Sequence, residues 1–246
     1  MLVVGTIARA TDDPIYLFGD DAQKVLDSLE DAKSDGFLHM GILAHNLSFS
    51  TKKAKMTGRA EEYLSLVRLK GGYTDTLRVY ECLLTLLSLR DENILKKGVG
   101  FISGFVGLQS PEDEIREVFM CLSREIDRQP DNMAFHLIRA AAAVEVAGVM
   151  PDLLPMANED LVQIAFLSAH QMDEDSTHRF YSALVSAKYR YLLAKTSGSV
   201  WDSRRMLLES HGCMVQASAY ARGKWQPGEI ILWNDRIEKL FRELDN

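Results

Sequence analysis

The chain is poor in the residues that usually betray a function. It has three cysteines in 246 residues, Cys82, Cys121 and Cys213, odd in number and far apart. No CxxC pair and no histidine at zinc-finger spacing accompanies them, which excludes a disulfide framework and a structural zinc finger. They read as buried, reduced thiols, and the expected setting is cytoplasmic. Six prolines and no biased tract leave no room for a long disordered segment. The longest apolar run, Val99 to Leu108, covers ten residues, where a membrane span needs about twenty. The opening Met1 to Ala10 ends in Ala-x-Ala but lacks a cationic start, so it reads as no export signal. There is no GxSxG and no cysteine-protease signature.

Charge is also short on one side. With 35 acids against 28 bases the formal charge is -7, and an acidic surface repels phosphate backbones and anionic headgroups alike. Bulk nucleic-acid or membrane binding is disfavoured on that ground. The charge is banded, however: -5 over residues 1 to 50, +4 over 51 to 110, -9 over 111 to 180 and +3 over 181 to 246. Bands of alternating sign suit complementary neighbouring layers or partner-facing patches, with ordinary solvated faces as the competing reading.

What is present in quantity is helical patterning. Two short β-type runs, Leu2 to Ala8 and Ile15 to Phe18, predict an N-terminal arm or hairpin over residues 1–19. From residue 20 to 246 the strong signals are helical and predict one α-helical domain. Asp20-xx-Gln23 has capping-box spacing ahead of Val25, Leu26 and Leu29, with Gly36 as the expected stop. Ser110-Pro111-Glu112-Asp113 combines a hydroxyl cap, a proline at the first helical position and acids at the positive end of the helix dipole. Ser199-xx-Asp202 and Gln226-Pro227-Gly228-Glu229 open two more helices, the last striped by Ile230, Trp233, Ile237, Leu240, Phe241 and Leu244. Further helices are expected near 37–48, 58–70, 74–90, 94–108, 132–147, 157–171 and 176–195. Short connections between them predict antiparallel packing of sequential neighbours.

One segment, Gly71-Gly72-Tyr73-Thr74-Asp75-Thr76-Leu77-Arg78-Val79-Tyr80-Glu81-Cys82-Leu83-Leu84-Thr85-Leu86, resembles the turn and second helix of a tetratricopeptide repeat. Gly71, Tyr73, Tyr80, Leu84 and Leu86 fall where that family places its glycine, aromatics and leucines. Pro130-Asp131-Asn132 with Leu137, Ala140 and Ala147-Gly148 resembles the junction between two such repeats. Thr76 and Leu83 stand where the family prefers alanine, and Leu64 where it prefers a small residue. The resemblance implies an all-α, right-handed stack of antiparallel helix pairs holding a peptide or partner helix. It also implies a partner-binding set of Lys70, Tyr73, Arg78 and Tyr80, with burial of both tyrosines in the core as the competing reading.

The constellations that resemble catalytic ones fail on spacing. Gly98-x-Gly100-xxx-Gly104-xx-Gly107 follows Lys96 and Lys97 rather than preceding a lysine and hydroxyl, so it is not a phosphate loop, and close helix packing explains it better. His170, Asp173, Glu174 and His178 gather metal-type donors, and a helical metal-dependent hydrolase is the alternative they support. Yet the histidines are eight apart, whereas helix-built sites want ligands one turn apart. Cys213 lies two residues from His211, on a different helix face. Basic clusters at Lys52-Lys53-Lys55-Arg59 and Arg204-Arg205, the second near Tyr189-Arg190-Tyr191, carry a nucleic-acid alternative. The expectation is therefore a non-catalytic interaction scaffold with no cofactor or resident metal, partnered by a protein or peptide, with homo-oligomers left open.

Overall fold

The structure, a computed structural model, describes residues 19–51, 54–91, 110–170, 176–221 and 227–245. Among them every regular element is helical, and there are ten α-helices, whose sequential neighbours within each unit pack antiparallel. The expected N-terminal strands and the 94–108 helix lie outside the described residues, as does the glycine run that begins at Gly98. The chain divides into two compact units, Met1–Gln129 and Pro130–Asn246.

The first unit holds α1 (Gly19–Asp31), α2 (Phe37–Thr51), α3 (Ala54–Leu69), α4 (Asp75–Asp91) and α5 (Pro111–Arg128). Its centre is α2, which is apolar on nearly all sides and buried continuously from Met40 to Ser48. It packs on α1, α3 and α4. Ala22 and Leu26 of α1 meet Leu43 and Leu47 of α2 and Ala60 of α3 in one cluster. The hydroxyls buried with them satisfy each other, Ser48 against Thr57 at 2.6 Å.

At the α2–α3 crossing a Cβ on Gly41 would lie 2.6 Å from Leu64 Cδ2, so the missing side chain is what lets a buried leucine seat there. The small residue of this crossing thus sits on α2 and the large one on α3. Leu64, which breaks the tetratricopeptide pattern, fits here because Gly41 supplies the space instead.

Two helix ends differ in what stops them. Lys33, at φ 49, is in the left-handed region and ends α1, with Ser34 N–H donating to Leu29 O at 2.9 Å. Gly36, the expected stop, instead leads into α2 and donates its N–H to Ser34 Oγ. Gln23 likewise does not reach back to the helix start; its amide donates forward to Asp27 at 2.6 Å. The α3 end does use glycine: Gly71 has φ 76, and Gly72 N–H donates to Val67 O at 3.0 Å. The Ser110 cap forms as its sequence implies, accepting from Asp113 N–H at 3.2 Å.

The second unit holds α6 (Met133–Val146), a 3₁₀ turn (Pro151–Leu153), α7 (Leu154–His170), α8 (Ser176–Thr196), α9 (Val200–Ala221) and α10 (Pro227–Asp245). Its longest contact is the α8–α9 hairpin. Ser203, Leu207, Ser210, Met214, Ala217 and Ala221 are the buried positions of α9, a strict four-then-three spacing. Ser203 Oγ donates to Ala194 O at 2.8 Å, and seven residues on Ser210 Oγ donates to Ala187 O at 2.7 Å. Both rungs share one antiparallel register. Small side chains on both helices bring the backbones close enough for a hydroxyl to reach a carbonyl across the seam. Helix α10 docks through Trp233, whose ring stands edge-on to Tyr191 at 5.5 Å with Lys188 and Arg236 cations over it.

The Gly41 contact is testable. Gly41→Val should lower unfolding free energy by about 1–3 kcal/mol through overpacking against Leu64. Gly58→Ala, where a Cβ meets nothing within 4 Å, should raise it by about 0.5–1 kcal/mol through helix propensity. Chemical denaturation of both variants measures the two signs.

Candidate functional site

Among the described residues, three groups of polar side chains and one exposed turn bear on the site expected from the sequence. The first joins α4 to α5 in the first unit. Along α4, Asp75, Arg78 and Cys82 occupy successive turns, and opposite them stand Gln129, which caps the end of the antiparallel α5, and Glu125 and Cys121 of that helix. Gln129 donates to Asp75, Arg78 pairs with Glu125 at 3.2 Å, and Cys82 is joined to Cys121 by a disulfide with Cα atoms 6.2 Å apart. Glu125 is buried and holds a second arginine, Arg128, while Arg78 also pairs with Asp75. Its bond to Asp75, followed by the pull of Glu125, keeps the Arg78 guanidinium pKa above its ordinary value against the desolvation that opposes it.

The disulfide corrects the expectation of three reduced thiols. Cys82 and Cys121 are 39 residues apart in sequence, and only the antiparallel register of α4 and α5 makes them neighbours. A bond of this kind is what oxidising compartments favour, so it removes the reasoning from reduced thiols to a cytoplasmic setting. Cys213 stays free and half-buried, its thiol pKa pushed up by burial.

The second constellation belongs to the second unit. Asp160 of α7 is buried, with Oδ1 2.7 Å from His136 Nδ1 and from an Arg139 nitrogen, and Oδ2 2.8 Å from Arg139 Nε. His136 Nε2 faces Pro130 O at 2.9 Å. Both ring nitrogens therefore face acceptors, which the doubly protonated imidazolium alone can satisfy. Burial by itself lowers the His136 pKa, but the bonds to Asp160 and to Pro130 O prevail over it and over Arg139, and the net shift is upward. The cluster buries its groups against one another, the side chains of Asp160, His136 and Arg139 being 1%, 8% and 12% exposed.

The third is the set of metal-type donors anticipated between His170 and His178. Asp173 and Glu174 lie outside the described residues, and His178 is buried in α8. Among the described residues no three histidines, cysteines, aspartates or glutamates gather as metal ligands. Of the basic clusters, Arg59 is bound to Glu30 and stands 6.0 Å from the Tyr63 ring, while Lys52 and Lys53 lie outside the described residues. Arg204 pairs with Asp245 and Arg205 with Asp202.

The exposed turn joins α3 to α4. Of the four residues expected to meet a partner, Lys70 and Tyr73 are on it. The Lys70 ammonium sits 4.2 Å from the Phe37 ring centre, and Tyr73 is 63% exposed. Arg78 faces α5 in the ladder described above. Tyr80 is 1% exposed and packs edge-on to His45 at 5.0 Å, so it belongs to the core and cannot line a surface. Leu69, which the sequence reading missed, is 81% exposed beside Lys70. Its signal was the helix period: Ala60, Leu64 and Val67 make the buried stripe of α3, and residue 69 falls off it. The turn is held by backbone bonds at Gly71 and Gly72 and by Leu77 N–H donating to Thr74 Oγ1 at 3.1 Å.

No family model, curated protein or solved structure matches this chain.

Two outcomes test the polar constellations. Thiol titration in denaturant should find one free thiol in the untreated protein and three after reduction, with reduction costing about 2–4 kcal/mol of stability. For His136, a raised folded-state pKa means that its stabilisation is full below the unfolded value of about 6.5 and fades as pH rises through the folded value. Wild-type stability measured in urea should therefore fall over that upper window, and His136→Gln should flatten the fall.

Proposed function

We propose that this protein is a non-catalytic interaction scaffold that holds a peptide or partner helix, and that the α3–α4 turn is where it does so. The observation that carries the reading is the pair Leu69 and Tyr73, both large and apolar and both in water, on a turn whose backbone is hydrogen-bonded in place. A fixed turn presents its side chains without first losing conformational entropy, which is what favours a docking site over a merely exposed loop. Lys70 lies between them, supported on the Phe37 ring, and gives a carboxylate on the partner something to meet. The helical-repeat reading, a right-handed stack of pairs like that of the tetratricopeptide family, belongs to the same proposal. It is supported by the antiparallel pairing of sequential helices and by the glycine at the α3 end.

A displayed random-peptide library tests the proposal, selected on the wild-type chain and counter-selected on Leu69→Ser/Tyr73→Ser. Acidic peptides with apolar anchors should be enriched, and their affinity should fall at least about tenfold on the double variant. Enrichment that ignores the double variant would refute the site.

A further inference from the structure

Helix α9 carries two seams; it packs on α8 and α10 within the second unit, and among the described residues the outer seam stays exposed. The inner seam packs on α8. The outer one runs Trp201, Arg205, Leu208, Gly212, Val215, Ala219, the same four-then-three spacing continued over the whole helix. Trp201, Leu208 and Val215 are 70%, 65% and 57% exposed, Arg205, Gly212 and Ala219 are exposed between them, and a Cβ on Gly212 would meet nothing within 4 Å. One heptad position carries tryptophan, leucine and valine, and the other carries arginine followed by the two small residues glycine and alanine.

We propose that this seam pairs with the same seam of a second copy, the two α9 helices lying antiparallel about a two-fold axis at Ser210. In antiparallel coiled coils each heptad position of one helix packs against the other position of its partner. Placing the axis at residue 210 sets Ala219 against Trp201 of the second copy, Gly212 against its Leu208, and the aliphatic stem of Arg205 against its Val215. The two largest apolar side chains, Trp201 and Leu208, then meet Ala219 and Gly212, and each contact occurs twice, as an isologous interface requires.

The flanking charges do not oppose this. Asp202 is paired with Arg205, Arg204 with Asp245, and Glu209, which meets its own copy near the axis, carries Arg190 at 3.0 Å. A 22-residue helix is about 33 Å long. Two of them in contact cover roughly 1,000 Å², the lower bound for a specific interface, which points to a reversible dimer. The proposal concerns the second unit and is independent of the α3–α4 turn.

Sedimentation of the full chain over a concentration series up to about 100 μM reads the association directly. A reversible monomer–dimer equilibrium is expected. Gly212→Leu separates the proposal from general greasiness, since it adds apolar surface and helix propensity to the monomer yet fills the space meant for Leu208 of the copy. It should leave the helical circular dichroism and melting temperature at or above wild type while weakening the dimer at least about tenfold. Trp201→Ala and Ala219→Trp should each weaken it, and the two together should restore it, because the exchange returns a large residue opposite a small one. A chain that stays monomeric at the highest concentration overturns the proposal. So does a Gly212→Leu variant that associates more tightly, or a double exchange that restores nothing.

Discussion

Close approach of antiparallel helices is the constraint on which both units depend. In the α8–α9 hairpin it is enforced twice, seven residues apart, by Ser203 and Ser210 donating to Ala194 and Ala187 carbonyls. A hydroxyl can reach a carbonyl on the neighbouring helix only when no larger side chain holds the backbones apart. In the α2–α3 pair the same closeness comes from Gly41, whose missing Cβ is the space that Leu64 fills. Apolar stripes alone would bring such helices together at many registers, and these small-residue contacts select one.

Once register is set, polar groups far apart in sequence become partners. The α4–α5 pair shows this in three successive turns: a hydrogen bond from a side-chain amide, an ion pair and a disulfide, all in one antiparallel register. Glu125 would be costly to bury alone, and two arginines compensate it. Asp160 is treated alike, sharing its two oxygens between Arg139 and His136, and the second nitrogen of that histidine ties down Pro130 O at the start of the second unit. These networks have the composition of active sites and the geometry of braces. Their groups turn toward one another, while large apolar residues stay in water at other positions, among them Leu69 and Tyr73 at the α3–α4 turn and Trp201, Leu208 and Val215 along α9.

Much of the helix inventory was legible because its signals are local. The Ser110 and Ser199 caps form where the hydroxyl stands three residues before a free amide, and the α10 stripe turns Trp233 and Ile237 inward as its period requires. The candidate site was legible only in part. Lys70 and Tyr73 are on a surface turn, whereas Tyr80 sits among core residues against His45. Aromatic identity at a repeat position does not say which side of the helix faces water. Leu69 was readable in principle from the phase of α3, but a single leucine next to glycines draws no attention unless that phase is followed to the last residue.

Sequence by itself determined that the described chain is helical, where most helices begin and end, and which stripe of each is apolar, since caps, glycine stops and a 3.6-residue period act within a few residues. Tertiary structure alone decided that Cys82 meets Cys121, that Arg78 pairs with Glu125, and that α9 leaves a second seam in water. Those facts depend on the register between helices, which is set by small residues at crossings and by burial summed over whole faces. No short window of sequence contains that sum.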